Sequence, residues 1–273
     1  MSAGTSATPP PFRWEVEQNI ARIWLNRPER RNPLALAGDG HAAKAMCDEL
    51  NGDPAIRCAI LTGDGSAFSA GGDIHAMRSK EGMFAGSGMA LREAYRNNVH
   101  GIVRALYALD MPLIAAVNGP AVGLGCDIVC LADIRIAAAT ATFSVPFLKL
   151  GLLPGDGGAW LLPRAIGMSR AAELFFTGDS IDAETAALWG LVSRVVPLGR
   201  LTAEAERLAQ KIASMPPHAL RIAKSLMRAG QSASFDTLLE MSATTQALAH
   251  YSADHKEGIE ALIDRRPPTF IGA

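Results

Sequence analysis

A strand, a glycine-rich turn and a helix follow one another in the middle of the chain, and this order limits the possible folds most. Leu113 to Val117 is an apolar run typical of a buried strand, and Asn118-Gly119-Pro120 then predicts a turn. After Gly123-Leu124-Gly125 the apolar residues from Cys126 to Leu131 have helical spacing. The glycine-rich turn therefore leads into a helix N-terminus, where unpaired N–H groups attract negative charge.

Asp127 lies three residues beyond Leu124, so the first helical turn would place its carboxylate on the same side as the Leu124 N–H. A hydrogen-bond donor and a carboxylate are therefore expected to face one site. A structural interpretation stays open, because such turns often serve tight packing and an acid near a helix N-terminus offsets the helix dipole. A dinucleotide site is rejected, since Ile128 stands where the third glycine of that fingerprint is required.

The same order of elements occurs earlier in the chain. Arg57 to Thr62 predicts a short buried strand, and Gly71-Gly72 precedes a helix that starts near Asp73. The two glycines allow backbone N–H groups to approach a ligand, whereas Asp73 is favoured as the helix N-cap. A serine hydrolase is not expected, because Ala67 occupies a glycine position of the nucleophile motif around Ser69.

A further glycine turn, Gly155-Asp156-Gly157-Gly158, contains one carboxylate. Aspartate between glycines is normally a turn former, so a structural role for Asp156 remains the alternative to a functional one.

Composition favours a globular protein that acts on a small molecule. Of 273 residues, 49% are hydrophobic and 19% are charged, with a formal net charge of −1, which gives no electrostatic case for nucleic acid or membrane binding. The longest apolar region, Met111 to Phe143, is interrupted by Asp127, Asp133 and Arg135, so no transmembrane helix is expected. No metal site is expected either, and the cysteines are predicted to be buried free thiols: Cys47, Cys58, Cys126 and Cys130.

Three regions are predicted along the chain. Residues 1–12 form a proline-containing leader without the features of a signal peptide, which indicates a cytoplasmic protein. Residues 13–200 contain the alternating strands and helices, including helices at about Leu34 to Leu50 and Met89 to Leu109. Residues 201–273 are wholly helical, with segments near 201–214, 217–229, 234–250 and 254–265.

Six phrases in fixed order resemble the crotonase superfamily over about residues 14–270. They are NRPERRNPL, LTGDGSAFSAGGDI, AVNGPAVGLGCDIVCLAD, LGLLPGDGGAWLLPRAIG, LFFTGD and AALWGLVSRVVP. The resemblance implies an α/β fold, a crotonase-like spiral of repeated ββα units, with a C-terminal α-helical trimerisation region. It also implies a homotrimer, or a hexamer built as a dimer of trimers.

The same resemblance implies an acyl-CoA thioester substrate, with coenzyme A as part of the substrate and no further cofactor. The thioester carbonyl would lie in an oxyanion hole formed by the backbone N–H groups of Gly72 and Leu124. Further residues at positions expected to contact substrate or CoA are Arg30, Arg31, Ala70, Gly71, Asp73, Ile74, Gly123, Phe147, Leu262 and Arg265.

Two departures from the family pattern bear on the reaction. Asp127 and Phe147 stand where similar enoyl-CoA hydratases have glutamates, and phenylalanine cannot transfer a proton. Asp156 stands where dienoyl-CoA isomerases have a functional aspartate. Double-bond isomerisation with Asp156 and Asp127 as the catalytic acids is therefore favoured. Enoyl-CoA hydration and a CoA-thioester binder without chemistry are the alternatives.

Overall fold

The computed structural model describes residues 9–273, so most of the predicted leader lies outside the described residues. The strands, in chain order, are β1 (Phe12–Glu17), β2 (Ile20–Leu25), β3 (Pro33–Leu34), β4 (Cys58–Gly63), β5 (Gly71–Gly72), β6 (Leu113–Val117), β7 (Ala121–Val122), β8 (Ile134–Ala138), β9 (Thr142–Ser144), β10 (Ser180–Asp182) and β11 (Arg194–Val196).

The helices begin after β3. They are α1 (Asp39–Gly52), α2 (Ile74–Ser79), α3 (Gly88–Asn97), α4 (Val99–Tyr107), α5 (Leu124–Leu131), α6 (Gly158–Ile166), α7 (Met168–Thr177), α8 (Ala183–Trp189), α9 (Leu198–Ala213), α10 (Pro217–Ala229), α11 (Phe235–His250) and α12 (Ala253–Asp264).

The main sheet has six strands in the order β1-β2-β4-β6-β8-β11. The β1–β2 pair is antiparallel and the other neighbours are parallel, because helices connect successive strands across the sheet. Two smaller sheets, β10-β9-β7 and β3-β5, lie where the glycine turns leave the main sheet. The predicted α/β class is confirmed.

Alternate residues of the parallel strands enter two separate hydrophobic clusters. On β4, Ala59 and Leu61 belong to the larger cluster, whereas Cys58 and Ile60 pack with the buried residues of α9. This two-residue period, with both faces covered, explains why these strands are almost continuously apolar.

The predicted helix from Met89 to Leu109 is wrong in one respect, because it is divided at Asn98 into α3 and α4. The Asn98 side chain accepts a hydrogen bond from the Gly38 N–H at 2.9 Å and so fixes this junction against the start of α1. Next to it α1 and α4 cross closely, since a Cβ on Gly101 would lie 2.9 Å from the Gly40 Cα. The start of α4 is therefore rigidly placed.

Two other helices differ from the prediction, one in its boundary and one in its existence. The helix expected from Leu34 begins only at Asp39, because Pro33 and Leu34 pair with β5 and Asp39 forms a buried ion pair with Arg27 at 2.7 Å. Helix α6 was not predicted. Its first residue is a glycine and it contains Pro163, both poor local indicators of a helix.

Helix α9 covers the second face of the main sheet through Leu201, Ala205 and Ala209. Helix α10 is attached to the core by Lys224, whose ammonium lies 2.8 Å from Asp133 and donates to the Met111 carbonyl at 2.6 Å. The described contacts thus join the first part of the region 201–273 to the core. Within residues 9–273, no helix is both long and apolar enough to cross a membrane.

Candidate active site

A cleft of about 360 Å³ opens where the two glycine turns meet the segment before α6. Seven of the site residues predicted from the sequence line this cleft: Ala70, Gly72, Ile74, Gly123, Leu124, Phe147 and Asp156. The walls are otherwise mostly apolar, with further contributions from Ala35, Met77, Phe84, Tyr95, Val99, Val122, Pro146, Lys149, Leu150 and Leu152. Among the lining residues in the described part of the chain, Asp156 is the one carboxylate. Such a site suits an apolar group beside one acid or base.

Backbone pairing brings the two glycine turns together. Ser69 accepts a hydrogen bond from the Val122 N–H at 2.9 Å and donates its own N–H to the Pro120 carbonyl at 3.1 Å. Gly71, with φ of 80°, lies so near the second turn that a Cβ there would be 2.5 Å from the Val122 oxygen and 3.5 Å from the Leu124 nitrogen. Glycine is required at Gly71 for both the backbone angle and the close approach.

Leu124 is the first residue of α5 and follows Gly123, which has a positive φ of 53°. Within residues 9–273, its N–H has no hydrogen-bond acceptor, as expected for the first turn of a helix. Gly72 lines the same cleft on the opposite turn. The chain therefore presents at least one free, helix-terminal donor to this space.

Asp156 lies in the loop between Leu150 and α6 and is only 8% exposed. Burial raises the pKa of its carboxyl group from 3.8 to about 6. This value leaves the group mostly ionised at neutral pH while making its conjugate acid a weaker acid than usual, which suits reversible proton transfer.

Asp127 does not share the cleft. It is fully buried beside Gly158, where an added Cβ would lie 2.2 Å from its Oδ1. Among the described residues, neither carboxylate oxygen of Asp127 has a hydrogen-bond partner of good geometry. The nearby Gly158 N–H lowers the pKa of this carboxyl group, but its effect is smaller than that of burial. Burial, followed by Cys130 and Asp156, raises the pKa of Asp127 well above its usual range. Asp127 is not among the residues that line the cleft, and its role as a second catalytic acid stays a prediction.

Asp73 has the structural role that its position predicts. Its carboxylate accepts hydrogen bonds from the N–H groups of His75 at 3.0 Å and Ala76 at 3.2 Å and pairs with Arg30 at 2.5 Å. Burial opposes ionisation, but the Ala76 N–H and Arg30 outweigh it and lower the pKa of Asp73. Asp73 is occupied by these partners and lies outside the cleft lining.

The remaining predicted contact residues lie further away. Arg31 is exposed in a left-handed conformation with φ of 61°, beside the half-exposed Arg30. Leu262, at 76% exposure, and Arg265 lie on and just after α12 and do not line this chain's cleft. Their suggested contact with a neighbouring subunit's substrate stays a prediction.

The Ser69 hydroxyl donates to the Asn32 carbonyl at 2.8 Å and accepts from the Gly71 N–H at 3.1 Å. It is fully buried in the turn, so it serves backbone geometry and not nucleophilic attack.

Sequence reasoning missed the wall formed by α3 and α4. Tyr95 and Val99 both line the cleft, and burial, with a smaller effect from Asp156, raises the pKa of the Tyr95 hydroxyl. The spacing of four residues between Tyr95 and Val99 is typical of two residues on one face of a helix. The sequence around them does not indicate that this face meets Asp156.

A larger cleft of about 490 Å³ lies between the core and α10, away from Asp156. Two of its cations, Lys224 and Arg228, already pair with Asp133. It therefore contributes no acid–base pair comparable to the first cleft.

Comparison with known proteins places these features in a family. Residues 15–273 match the family model described as enoyl-CoA hydratase/isomerase. The chain is 38% identical over 259 residues to a 1,2-epoxyphenylacetyl-CoA isomerase of Escherichia coli K12, covering 94% of this chain and 97% of that protein. It is 36% identical over 259 residues to a crotonyl-CoA hydratase of Syntrophomonas wolfei, covering 94% and 96% of the two chains.

Solved structures of similar proteins have the same fold. An enoyl-CoA hydratase from Bacillus anthracis superposes with a TM-score of 0.89 at 32% identity, covering 96% of this chain and 100% of the other. The similarity extends over nearly the whole chain, so it concerns the full fold, including the helices after the sheet.

Proposed function

Since this chain belongs to the enoyl-CoA hydratase/isomerase family, we propose that it moves a carbon–carbon double bond within an acyl-CoA thioester by way of an enolate. The observation that carries the proposal is Asp156, the single carboxylate lining the cleft in the described residues. A double-bond shift needs one group that removes a proton and returns it, whereas paired-acid hydration needs two.

The thioester carbonyl oxygen would accept hydrogen bonds from the backbone N–H groups of Gly72 and Leu124. Asp156 removes a proton from the α carbon, and the electron pair of that C–H bond forms the enolate, conjugated with the existing double bond. The two N–H groups stabilise the oxygen's negative charge. Protonated Asp156 then delivers its proton to the γ carbon, the double bond moves next to the carbonyl, and the carboxylate is restored.

Asp127 assists indirectly in this scheme. Its buried carboxyl group packs on Gly158 and supports the start of α6, immediately after the Asp156 turn.

Phe147 favours isomerisation over hydration. It lines the cleft, with its ring 3.6 Å from the Cβ position of Gly123, beside the Leu124 donor. An apolar ring there neither activates nor holds a water molecule. Hydration remains the second candidate, because similar proteins include a named crotonyl-CoA hydratase, and binding without chemistry remains the third.

Parallel assays separate the three functions. A 3-enoyl-CoA and crotonyl-CoA are supplied to the wild-type protein, Asp156→Asn and Asp127→Asn, and deuterium incorporation from D2O at the α carbon reports the enolate directly. We expect isomerisation and exchange that are reduced at least about a hundredfold by Asp156→Asn but mostly retained in Asp127→Asn. Robust hydration that depends on Asp127 and not on Asp156 would overturn the proposal. CoA-dependent thermal protection without turnover on any acyl-CoA would favour a binding protein.

Assembly is part of the proposed function. In the part of the chain that the structure describes, no residue of α11 is buried, although the helix includes Phe235 and Leu248. We propose a trimer, or a hexamer of two trimers, in which α11 and α12 contact neighbouring subunits and Leu262 and Arg265 approach a neighbour's CoA. Arg30 and Arg31 are proposed to meet CoA phosphates. Coenzyme A enters only as part of the substrate, and a cytoplasmic location stays a prediction.

A further inference from the structure

His100, near the start of α4, contacts the turn that contains the candidate base. Its Nε2 lies 2.9 Å from the Gly155 carbonyl oxygen, next to Asp156 in the chain. Resting on the proposed function, we propose that His100 is a positioning residue that holds the Asp156 carboxylate in line with the reacting carbons.

The direction of this hydrogen bond follows from its partners. A carbonyl oxygen can only accept, so the His100 Nε2 carries the hydrogen and donates it. By donating this hydrogen bond, the imidazole restrains Gly155.

The turn has few other restraints. Leu152 donates its N–H to Phe147 at 2.9 Å and Gly155 to Leu153 at 2.7 Å, both within the same segment. Among the described residues, His100 provides the one side-chain hydrogen bond to residues 152–157. Gly155 and Gly157 flank Asp156, and Gly157 has φ of 99°, so the unrestrained turn would have wide conformational freedom.

His100 itself lies on a fixed element. Helix α4 crosses α1 at the Gly40–Gly101 contact, and the Asn98 side chain ties the helix start to Gly38. Tyr95 packs edge-on against the His100 ring, with centroids 6.4 Å apart and an interplanar angle of 68°. Tyr95 also lines the cleft, so a continuous path of contacts joins α1, α4, His100 and the Asp156 turn.

Loss of this restraint should affect chemistry more than binding. Displacement of a reacting group by about 1 Å can reduce a rate by up to about a hundredfold. We therefore expect kcat to fall between about tenfold and a hundredfold without the hydrogen bond, with KM changing less than about threefold. In the freed turn Asp156 meets more water, so the apparent pKa seen in kcat/KM should fall below that of the wild-type protein.

His100→Gln and His100→Asn form the test pair, because the glutamine amide nitrogen reaches the place of Nε2 and the shorter asparagine amide does not. His41→Ala on the exposed surface of α1 is the control, expected to match wild type. Isomerisation of a 3-enoyl-CoA is followed from pH 4.5 to 9, and hydrogen–deuterium exchange measures the segment 151–158. We expect His100→Gln to keep most of kcat and the wild-type pH profile, and His100→Asn to lose both and to exchange faster in that segment.

Three outcomes would overturn the inference. If His100→Asn has wild-type kcat and pH profile while Asp156→Asn is inactive, His100 does not position the base and the proposed function stands. If His100→Gln is as slow as His100→Asn, the hydrogen bond is not the cause. Full turnover by Asp156→Asn would remove the proposed function and this inference together.

Discussion

At the scale of single residues, the two buried aspartates differ in what surrounds them. Asp156 touches a cleft that a substrate can enter, whereas Asp127 is fully buried against α6. Both have raised pKa values with burial as the first cause, and the pKa of Asp156 rises to about 6. The location of the carboxylate, more than its residue type, decides which group is available for proton transfer.

The ionised, buried carboxylate of Asp156 is expected to lower the free energy of unfolding above pH 6. Its pKa rises from 3.8 to about 6 on folding, so the folded state binds this proton more tightly than the unfolded state. Stability from this group is fully present below pH 4 and is lost as pH rises through 6, a loss of about 3 kcal/mol. Asp156→Asn should therefore raise the unfolding free energy by up to that amount at pH 8 and leave it nearly unchanged at pH 4. Urea unfolding of both proteins at the two pH values is the measurement, and an equal difference at both would contradict the raised pKa.

Phe147 determines, in our proposal, which reaction the cleft supports. Phe147→Glu introduces a second carboxylate, and Phe147→Gln provides a neutral control of the same shape. We expect the glutamate variant to hydrate crotonyl-CoA at least about tenfold faster than the glutamine variant, since general acid–base catalysis contributes about 10²- to 10⁴-fold. Initial rates of hydration test this, and equal rates in the two variants would show that Phe147 does not occupy the place of an acid.

At the scale of elements, the close contact between α5 and α6 explains why residue 158 is a glycine, which the local sequence does not explain. A Cβ on Gly158 would lie 2.2 Å from Asp127 Oδ1, so Gly158→Ala should lower the unfolding free energy by about 1–3 kcal/mol. Gly52→Ala at the end of α1 is the matched control, because a Cβ there meets nothing within 4 Å. It should be neutral or slightly stabilising.

A double-mutant cycle identifies the cause. If the clash with Asp127 is responsible, Asp127→Ala should make Gly158→Ala nearly neutral in urea unfolding. A full, additive loss in the double variant would instead assign the effect to the conformation of the helix start.

Helix boundaries show where local pattern is insufficient. The four helices after residue 200 were predicted within a few residues, because each has a clear period and α10 to α12 are separated by proline, glycine or serine. The division of Met89 to Leu109 was missed, since Asn98 breaks the helix through a contact with Gly38 that lies far away in sequence.

At the scale of the whole molecule, two truncations separate folding from assembly. Ending the chain before Leu201 removes α9 and uncovers Ile60, Ile114 and Ile136 on the sheet, so this variant should be insoluble. Ending it after Gly230 retains α9 and α10 with their core contacts and removes α11 and α12. It should remain folded but lose the proposed trimer.

Light scattering and circular dichroism on the full chain and the Gly230 truncation make the comparison. A full-length protein that is a stable, active monomer at micromolar concentration would contradict the trimer. It would also remove the proposed role of Leu262 and Arg265 at a neighbour's substrate.

The sequence alone determined the features that depend on short-range chemistry. Local sequence indicates the glycine turns, the Asp73 N-cap, the apolar strands and the helical periods directly. Together these features specify an α/β chain with two glycine turns and a third that contains Asp156. Tertiary structure alone decided which acid reaches the cleft, because the Asp127 side chain is covered by α6 and Asp156 is not. It likewise brought Tyr95 and His100 to the Asp156 turn. Such contacts join residues distant in sequence, and packing of whole elements determines them, so no local pattern contains them.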